Sequence, residues 1–176
     1  MQAKGVFKRV AIVAIAVVTM SVAADAQVKG DMAVGGNLVL GTGDSYTNFG
    51  IGAKFQYNIL DPLRAEASFT YFLKKDYVSM WDLSVNAHWL FSVADKIKLY
   101  PLAGFGILGG SASVPSVNMG GISYGGGSSS STDFAFNLGG GIDYELTDKL
   151  VLNGELKYKI SDGSRFLISA GVAYRF

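Results

Sequence analysis

The sequence predicts an all-β chain that folds as an eight-stranded antiparallel up-and-down transmembrane β-barrel behind a cleaved leader. Three observations carry that expectation. In eight consecutive segments after residue 27, apolar residues fall at every second position, which is the period of a strand. The positions between them are crowded with glycine, serine and charge, and no stretch of that region is long and apolar enough for a membrane helix. The connections alternate between tight and long, as they do when a barrel has short turns on one side only.

The first residues read as targeting rather than fold. Lys4, Lys8 and Arg9 precede an apolar run from Val10 to Ala24, and Ala24-Asp25-Ala26 offers the small-x-small pattern of a cleavage site. Thr19 and Ser21 dilute the run and Asp25 closes it, short of the roughly 20 residues a spanning helix needs. Residues 1–26 are therefore expected to be a signal peptide and 27–176 a single barrel domain. Of the 15 basic and 14 acidic residues, the leader holds Lys4, Lys8, Arg9 and Asp25, so the remainder has no basic excess to suggest nucleic acid. The absence of cysteine excludes disulfides, thiolate metal sites, a cysteine nucleophile and a lipid anchor on cysteine.

The eight apolar faces follow in order. The first carries Met32, Val34, Leu38 and Leu40; the second Phe49, Ile51, Ala53, Phe55 and Tyr57; the third Leu63, Ala65, Ala67, Phe69 and Tyr71. The fourth carries Trp81, Leu83, Val85, Ala87 and Trp89, and the fifth Leu99, Pro101, Ala103, Phe105 and Ile107. Phe134, Phe136, Leu138, Ile142 and Tyr144 form the sixth, and Leu150, Leu152, Leu156 and Tyr158 the seventh. The last holds Phe166, Ile168, Ala170, Val172, Tyr174 and Phe176. None of these residues is charged, whereas the alternate positions carry Lys29, Asp31, Lys54, Arg64, Glu66, Asp82, Asp143, Glu145, Glu155, Lys157, Lys159 and Arg175. Pro101 lacks a ladder donor, which predicts a local bulge in the fifth strand.

A soluble barrel alternates as well, with its apolar face inward. Two features reverse that sense here. Gly35, Gly50, Gly52, Ser68, Ser84, Gly104, Gly106, Gly139, Gly141, Ser169 and Gly171 crowd the polar face, and small residues suit a narrow lumen better than a solvated strand surface. Aromatic residues stand at the ends of the apolar faces: Phe49, Tyr57, Tyr71, Trp81, Trp89, Phe134, Tyr144, Tyr158, Phe166 and Tyr174. Two such belts are what the two membrane–water interfaces favour. The tight connections are 58–62, 90–96 and 146–149, and the long ones 41–46, 72–80, 109–133 and 160–165.

Across nearly the whole mature chain the residues resemble the OmpA/OmpX-like superfamily of small outer-membrane barrels. The resemblance is strongest at Leu99-Tyr-Pro-Leu-Ala-Gly-Phe-Gly-Ile107, at Phe134-Ala-Phe-Asn-Leu-Gly-Gly-Gly-Ile-Asp-Tyr-Glu-Leu-Thr-Asp148 and at Ile168-Ser-Ala-Gly-Val-Ala-Tyr-Arg-Phe176. It implies residence in the bacterial outer membrane, contact with its lipid, and a monomeric protein with a structural or surface-interaction role. It also implies that the final stretch, ending at Phe176, is the signal read by the barrel insertion machinery. No peptidoglycan-binding domain is expected beside the barrel.

With the apolar face toward lipid, Lys54, Arg64, Glu66, Asp82, His88, Asp143, Glu145, Glu155, Lys157 and Arg175 point into the lumen. Such charges are tolerable there only when paired. A salt-bridged plug is the plainer expectation, because eight strands enclose a space just wide enough for side chains. A gate that exchanges partners to open a narrow channel for ions or small solutes is the alternative. Catalysis is the distant one: Ser84 and His88 share a face but lie roughly 13 Å apart along an extended strand, too far to act together. Asp143 with Glu145, and Glu155 with Lys157, are i, i+2 pairs best explained by opposite-sign neighbours across strands rather than by a metal site, and no cofactor is expected. The segment 109–132 is uncharged and rich in glycine and serine, which predicts first a mobile loop and second a surface for an extracellular partner.

Overall fold

The computed structural model describes residues 29–43, 47–75, 78–114, 117–119, 122–124 and 127–176; the expected leader lies outside them. The chain forms β1 (Met32–Thr42), β2 (Thr47–Asn58), β3 (Leu63–Lys75), β4 (Val78–Trp89), β5 (Phe91–Ala94), β6 (Ile97–Val114), β7 (Val117–Met119), β8 (Ile122–Tyr124), β9 (Gly127–Glu145), β10 (Leu150–Ile160) and β11 (Arg165–Arg175). The sheet runs β4-β3-β2-β1-β11-β10-β9-β6-β5, and the β4–β6 pairing closes it. Since β5 prolongs β4 beyond Leu90, the wall has the eight antiparallel positions expected, with β7 and β8 forming a separate small hairpin.

Closure decides which way every side chain faces. The strand period alternates inward and outward residues, and the eight apolar faces all turn out of the barrel: Phe49, Ile51, Val85, Phe105, Leu156 and Ile168 are exposed. The alternate positions are buried, among them Lys54, Glu66, Ser84, His88, Asn137 and Glu155. Such an inverted exterior suits hydrocarbon, where only a closed ladder satisfies the backbone. At the long-loop end Val39, Phe72 and Leu167, with Met80 against them, close the lumen with an apolar cluster. Leu90, Tyr100 and Leu102 form a second cluster toward the short-turn end.

The structure corrects three details. Pairing of β4 with β6 runs to His88↔Leu102 and resumes as Phe91↔Leu99 in the same register, so there is no bulge at Pro101. The ladder instead lapses for two residues, because Pro101 has no N–H to offer. The tight connection at 90–96 includes β5 rather than being all turn.

The long connections are shorter than their composition suggests. The β3–β4 pair extends to Lys75↔Val78, and β6 and β9 stay paired as far as Val114↔Gly127, so 109–114 and 127–132 are strand rather than mobile loop. Their residues are small and uncharged, which erases the hydrophobic alternation while leaving the ladder intact. On its other side β9 is paired only up to Phe136, opposite the last residue of β10, Ile160. From Gly127 to Ala135 it therefore has an unpaired edge among the described residues.

The inside-out sense has a direct test. Val85→Arg or Leu156→Arg, at mid-strand positions that are 44% and 52% exposed, should each cost roughly 2–4 kcal/mol in urea unfolding from lipid vesicles. A mild effect at both sites would be the behaviour of a solvated strand and would overturn the assignment of the apolar face to lipid.

Candidate functional site

The lumen is where the chain concentrates its chemistry. Inward positions along the strands hold four cations, Lys54, Arg64, Lys157 and Lys159, and four anions, Glu66, Asp82, Asp143 and Glu155, all buried. Most of their pairing joins strands distant in sequence, whereas Glu155 and Lys157 are neighbours on β10. Lys54 Nζ lies 3.1 Å from Glu155 Oε1 and 3.6 Å from Glu66 Oε2, and Lys157 Nζ lies 3.1 Å from Glu155 Oε2 and 3.9 Å from Glu66 Oε1. Tyr100 donates its hydroxyl proton to Glu155 at 3.0 Å and Gln56 its amide to Glu66 at 2.9 Å. Glu155 is thus held by two ammonium groups and a phenol, whereas Glu66 sits more loosely between the same lysines.

A second knot lies toward the short turns. Arg64 pairs with Asp143 at 2.6 Å, donates to His88 Nδ1 from Nε and Nη2, and places its guanidinium 4.8 Å from the centre of the Tyr100 ring. His88 stacks on Tyr100 with centroids 4.6 Å apart and planes 9° from parallel. The ring can approach this closely because Gly141 stands opposite: a Cβ there would lie 2.4 Å from Tyr100 Cζ. Toward the long-loop end Lys159 pairs with Asp82 and donates to Ser84, which donates to Asp82 at 2.6 Å. At the short-turn mouth Glu145 receives Lys98 at 2.8 Å and Arg175 at 3.0 Å.

The residues named from the sequence as a lumen charge network fall at two levels of exposure. Lys54, Arg64, Glu66, His88, Asp143, Glu155 and Lys157 are buried and linked to one another, Asp82 is buried and held by Lys159 and Ser84, and Glu145 and Arg175 are partly buried at one mouth. Lys29 is a correction: it is exposed in the turn before β1, because strand alternation does not reach it. Asp31 borders, with Arg64 and Arg175, a cavity of about 10 Å³ at that mouth, room for about one water. Gln56, Tyr100 and Lys98 escaped the sequence reading, Gln56 although parity from Phe55 and Tyr57 places it inside. Tyr100 sits within an apolar stretch and Lys98 beside a turn, and parity from Leu99 and Pro101 was the signal that places both inside.

Two chemistries suggested by proximity are blocked by the pairing. Ligand atoms of Glu66, His88 and Glu155 lie within 4.8 Å of one another, but lysines already neutralise both carboxylates. Arg64, which can only donate, makes Nδ1 of His88 an acceptor, so the neutral ring carries its proton on Nε2, the nitrogen turned toward Glu66 at 3.9 Å. That nitrogen then has no lone pair for a cation. Ser84 meets Lys159 rather than His88, and an ammonium paired with Asp82 is no general base.

The aromatic residues expected as belts all stand on the outer surface, in two rows set by register. Tyr57, Trp89, Tyr144 and Tyr174 lie toward the short turns; Phe49, Tyr71, Trp81, Phe134, Tyr158 and Phe166 lie toward the long loops. Trp81 packs over Gly109, where a Cβ would come within 2.2 Å of the indole.

Removing one partner of a buried pair should cost more than removing both. Lys159→Met, which leaves Asp82 and Ser84 buried without their cation, is expected to lose about 3–5 kcal/mol, and adding Asp82→Leu should restore most of it. Urea unfolding of the two variants beside the parent decides this; equal losses would mean that the pair is not what holds that level of the lumen.

No curated protein sequence matches this chain. Among solved structures, Neisserial surface protein A superposes with a TM-score of 0.62 at 16% identity, covering 85% of this chain and 98% of its own. Ail, the attachment invasion locus protein of Yersinia pestis, gives 0.59 at 18% identity, over 85% and 100%. The N-terminal β-barrel domain of Pseudomonas aeruginosa OprF gives 0.57 at 16% identity, over 82% and 97%. These likenesses carry the fold. The family model described as outer membrane protein beta-barrel domain matches residues 10–176, and the chain accordingly belongs to that family of bacterial outer-membrane barrels.

Proposed function

We propose that the protein is a non-conducting, non-catalytic scaffold of the outer membrane that acts through the surface it raises at its long-loop end. One observation carries this reading: the lumen is filled. Lys54, Lys157, Glu66 and Glu155 bridge it at mid-height, Arg64, His88 and Tyr100 stack below them, and Val39, Phe72 and Leu167 cover the long-loop end. An apolar lid above a neutralised ionic layer opposes a continuous thread of water, since ions would have to shed hydration to pass it. With the inside committed to structure, the β6–β9 extension is the part free to meet something else.

In this reading residues 1–26 are removed on export, and the short turns and both ends of the mature chain face the periplasm. The two aromatic rows stand at the two interfaces, lipid surrounds a monomer, and the stretch ending at Phe176 engages the insertion machinery. The segment 109–132 then faces the medium and is where an extracellular partner would dock. A gated channel is the rival, and the looser seat of Glu66 between Lys54 and Lys157 is what favours it.

Conductance of the refolded protein in planar bilayers separates the two. The parent and the Arg64→Ala, Glu155→Ala and Phe72→Ala variants should be silent or show only irregular leakage in the variants. Discrete, reproducible steps in the parent, altered by Arg64→Ala or Glu155→Ala, would replace the scaffold by a gated channel.

A further inference from the structure

The outer surface of β4, β6 and β9 at the long-loop end has a composition found nowhere else among the described residues. Register sets Trp81, Gly109 and Thr132 in one row across the three strands, and Ser79, Ser111 and Ser130 in the next row outward. By alternation all of these side chains share the outward face with Tyr71, the neighbour of Trp81 on β3. Asp133 belongs to the opposite face, so no described residue in the two rows is charged.

Each part of the patch has a physical consequence. Gly109 lacks the Cβ that would collide with the indole, so Trp81 packs close against the sheet at that point, leaving its other side turned away from the barrel. Phe69 braces it from below, with centroids 6.4 Å apart. Just above, Ser79 and Ser111 share a hydrogen bond of 2.8 Å. One of these hydroxyls spends its proton on the other, leaving a free donor and several lone pairs. Ser130 and Thr132 are exposed beside them, on the strand whose far edge is unpaired from Gly127 to Ala135. Hydroxyls in neighbouring strands repeat at about 4.8 Å, the scale of a sugar ring.

An aromatic face bordered by neutral donors and acceptors suits a ligand with a weakly apolar face and a rim of hydroxyls. Its two rows lack the cations that give a phosphate or a carboxylate its strong, charge-assisted hydrogen bonds. We propose that this surface is a binding platform for an uncharged sugar ring of the membrane glycolipid around the barrel, stacked on Trp81 and hydrogen-bonded by Ser79, Ser111, Ser130 and Thr132. Its height selects the source: on β4, β6 and β9 the rows lie directly above the apolar band, which ends there at Leu83, Ile107 and Phe134, where the head groups of the outer leaflet stand. The inference rests on the reading that the long-loop end is external.

The test uses the full mature barrel with Trp89→Phe, which leaves Trp81 as the sole tryptophan of the two. It is reconstituted in phosphatidylcholine nanodiscs with increasing fractions of monogalactosyl diacylglycerol, or of phosphatidylglycerol as the control head group. Trp81 emission should shift saturably with the galactolipid only, and Ser79→Ala/Ser111→Ala/Ser130→Ala should weaken that response at least about tenfold, as three lost hydrogen bonds require. An equal response to phosphatidylglycerol, no response at all, or an undiminished response in the triple variant would each overturn the platform. Ser130→Cys, in a chain without cysteine, separates the layers: failure of an impermeant thiol reagent to label it on intact cells overturns the external reading and the platform together. Labelling without a galactolipid response overturns the platform alone.

Discussion

Everything in this structure follows from the requirement that backbone N–H and C=O groups be paired where no water can reach them. A sheet meets that requirement in hydrocarbon only by closing, and with eight wall positions the β4–β6 pairing completes the circle. Closure at that size leaves an interior as wide as the side chains that fill it. Every second residue of every strand is thereby forced either into lipid or into a crowded axis. The chain answers with leucine, phenylalanine and valine outside and with lysine, glutamate, asparagine and glycine inside.

The interior therefore inverts the usual core. Burying eight ionisable groups in the lumen is unfavourable for each one singly, and the structure offsets this largely by sharing partners across strands distant in sequence. Lys54 and Glu155 are 101 residues apart in the chain and 3.1 Å apart in space. Sharing also restricts what the groups can do. Arg64, by donating to Nδ1 of His88, sets the tautomer of the only histidine, and lysines placed on both sides of Glu66 and Glu155 occupy the oxygens a cation would want. Fullness and electroneutrality, rather than the presence of charge, are what make a scaffold the better reading than a channel.

Two glycines show the same device used on opposite faces of the wall. Gly141 lets Tyr100 lie against the inner surface, where its hydroxyl reaches Glu155 and its ring carries His88 and Arg64. Gly109 lets Trp81 pack close on the outer surface at the level where the apolar band gives way to hydroxyls. In each case a missing Cβ on one strand makes room for an aromatic ring from its neighbour, so that ring position is decided by the glycine opposite as much as by the aromatic itself.

Alternation along the chain was enough to determine the strand-rich class and most of the lumen residues, because a period of two is a local property written into each segment. The inside-out sense came from the small residues on one face and the aromatic ends of the other. Alternation placed Lys54, Arg64, Glu66, Glu155 and Lys157 on one side of the wall without any knowledge of their neighbours. What it could not carry was anything that depends on which strand lies beside which. The partners of those charges, the seat of Tyr100 under Gly141, the lapse in the ladder at Pro101 and the extension of β6 and β9 to Val114 and Gly127 are set by register between distant segments. In the serine-rich stretch the apolar signal vanishes while the backbone goes on pairing, since a ladder is held by main-chain hydrogen bonds that composition does not record.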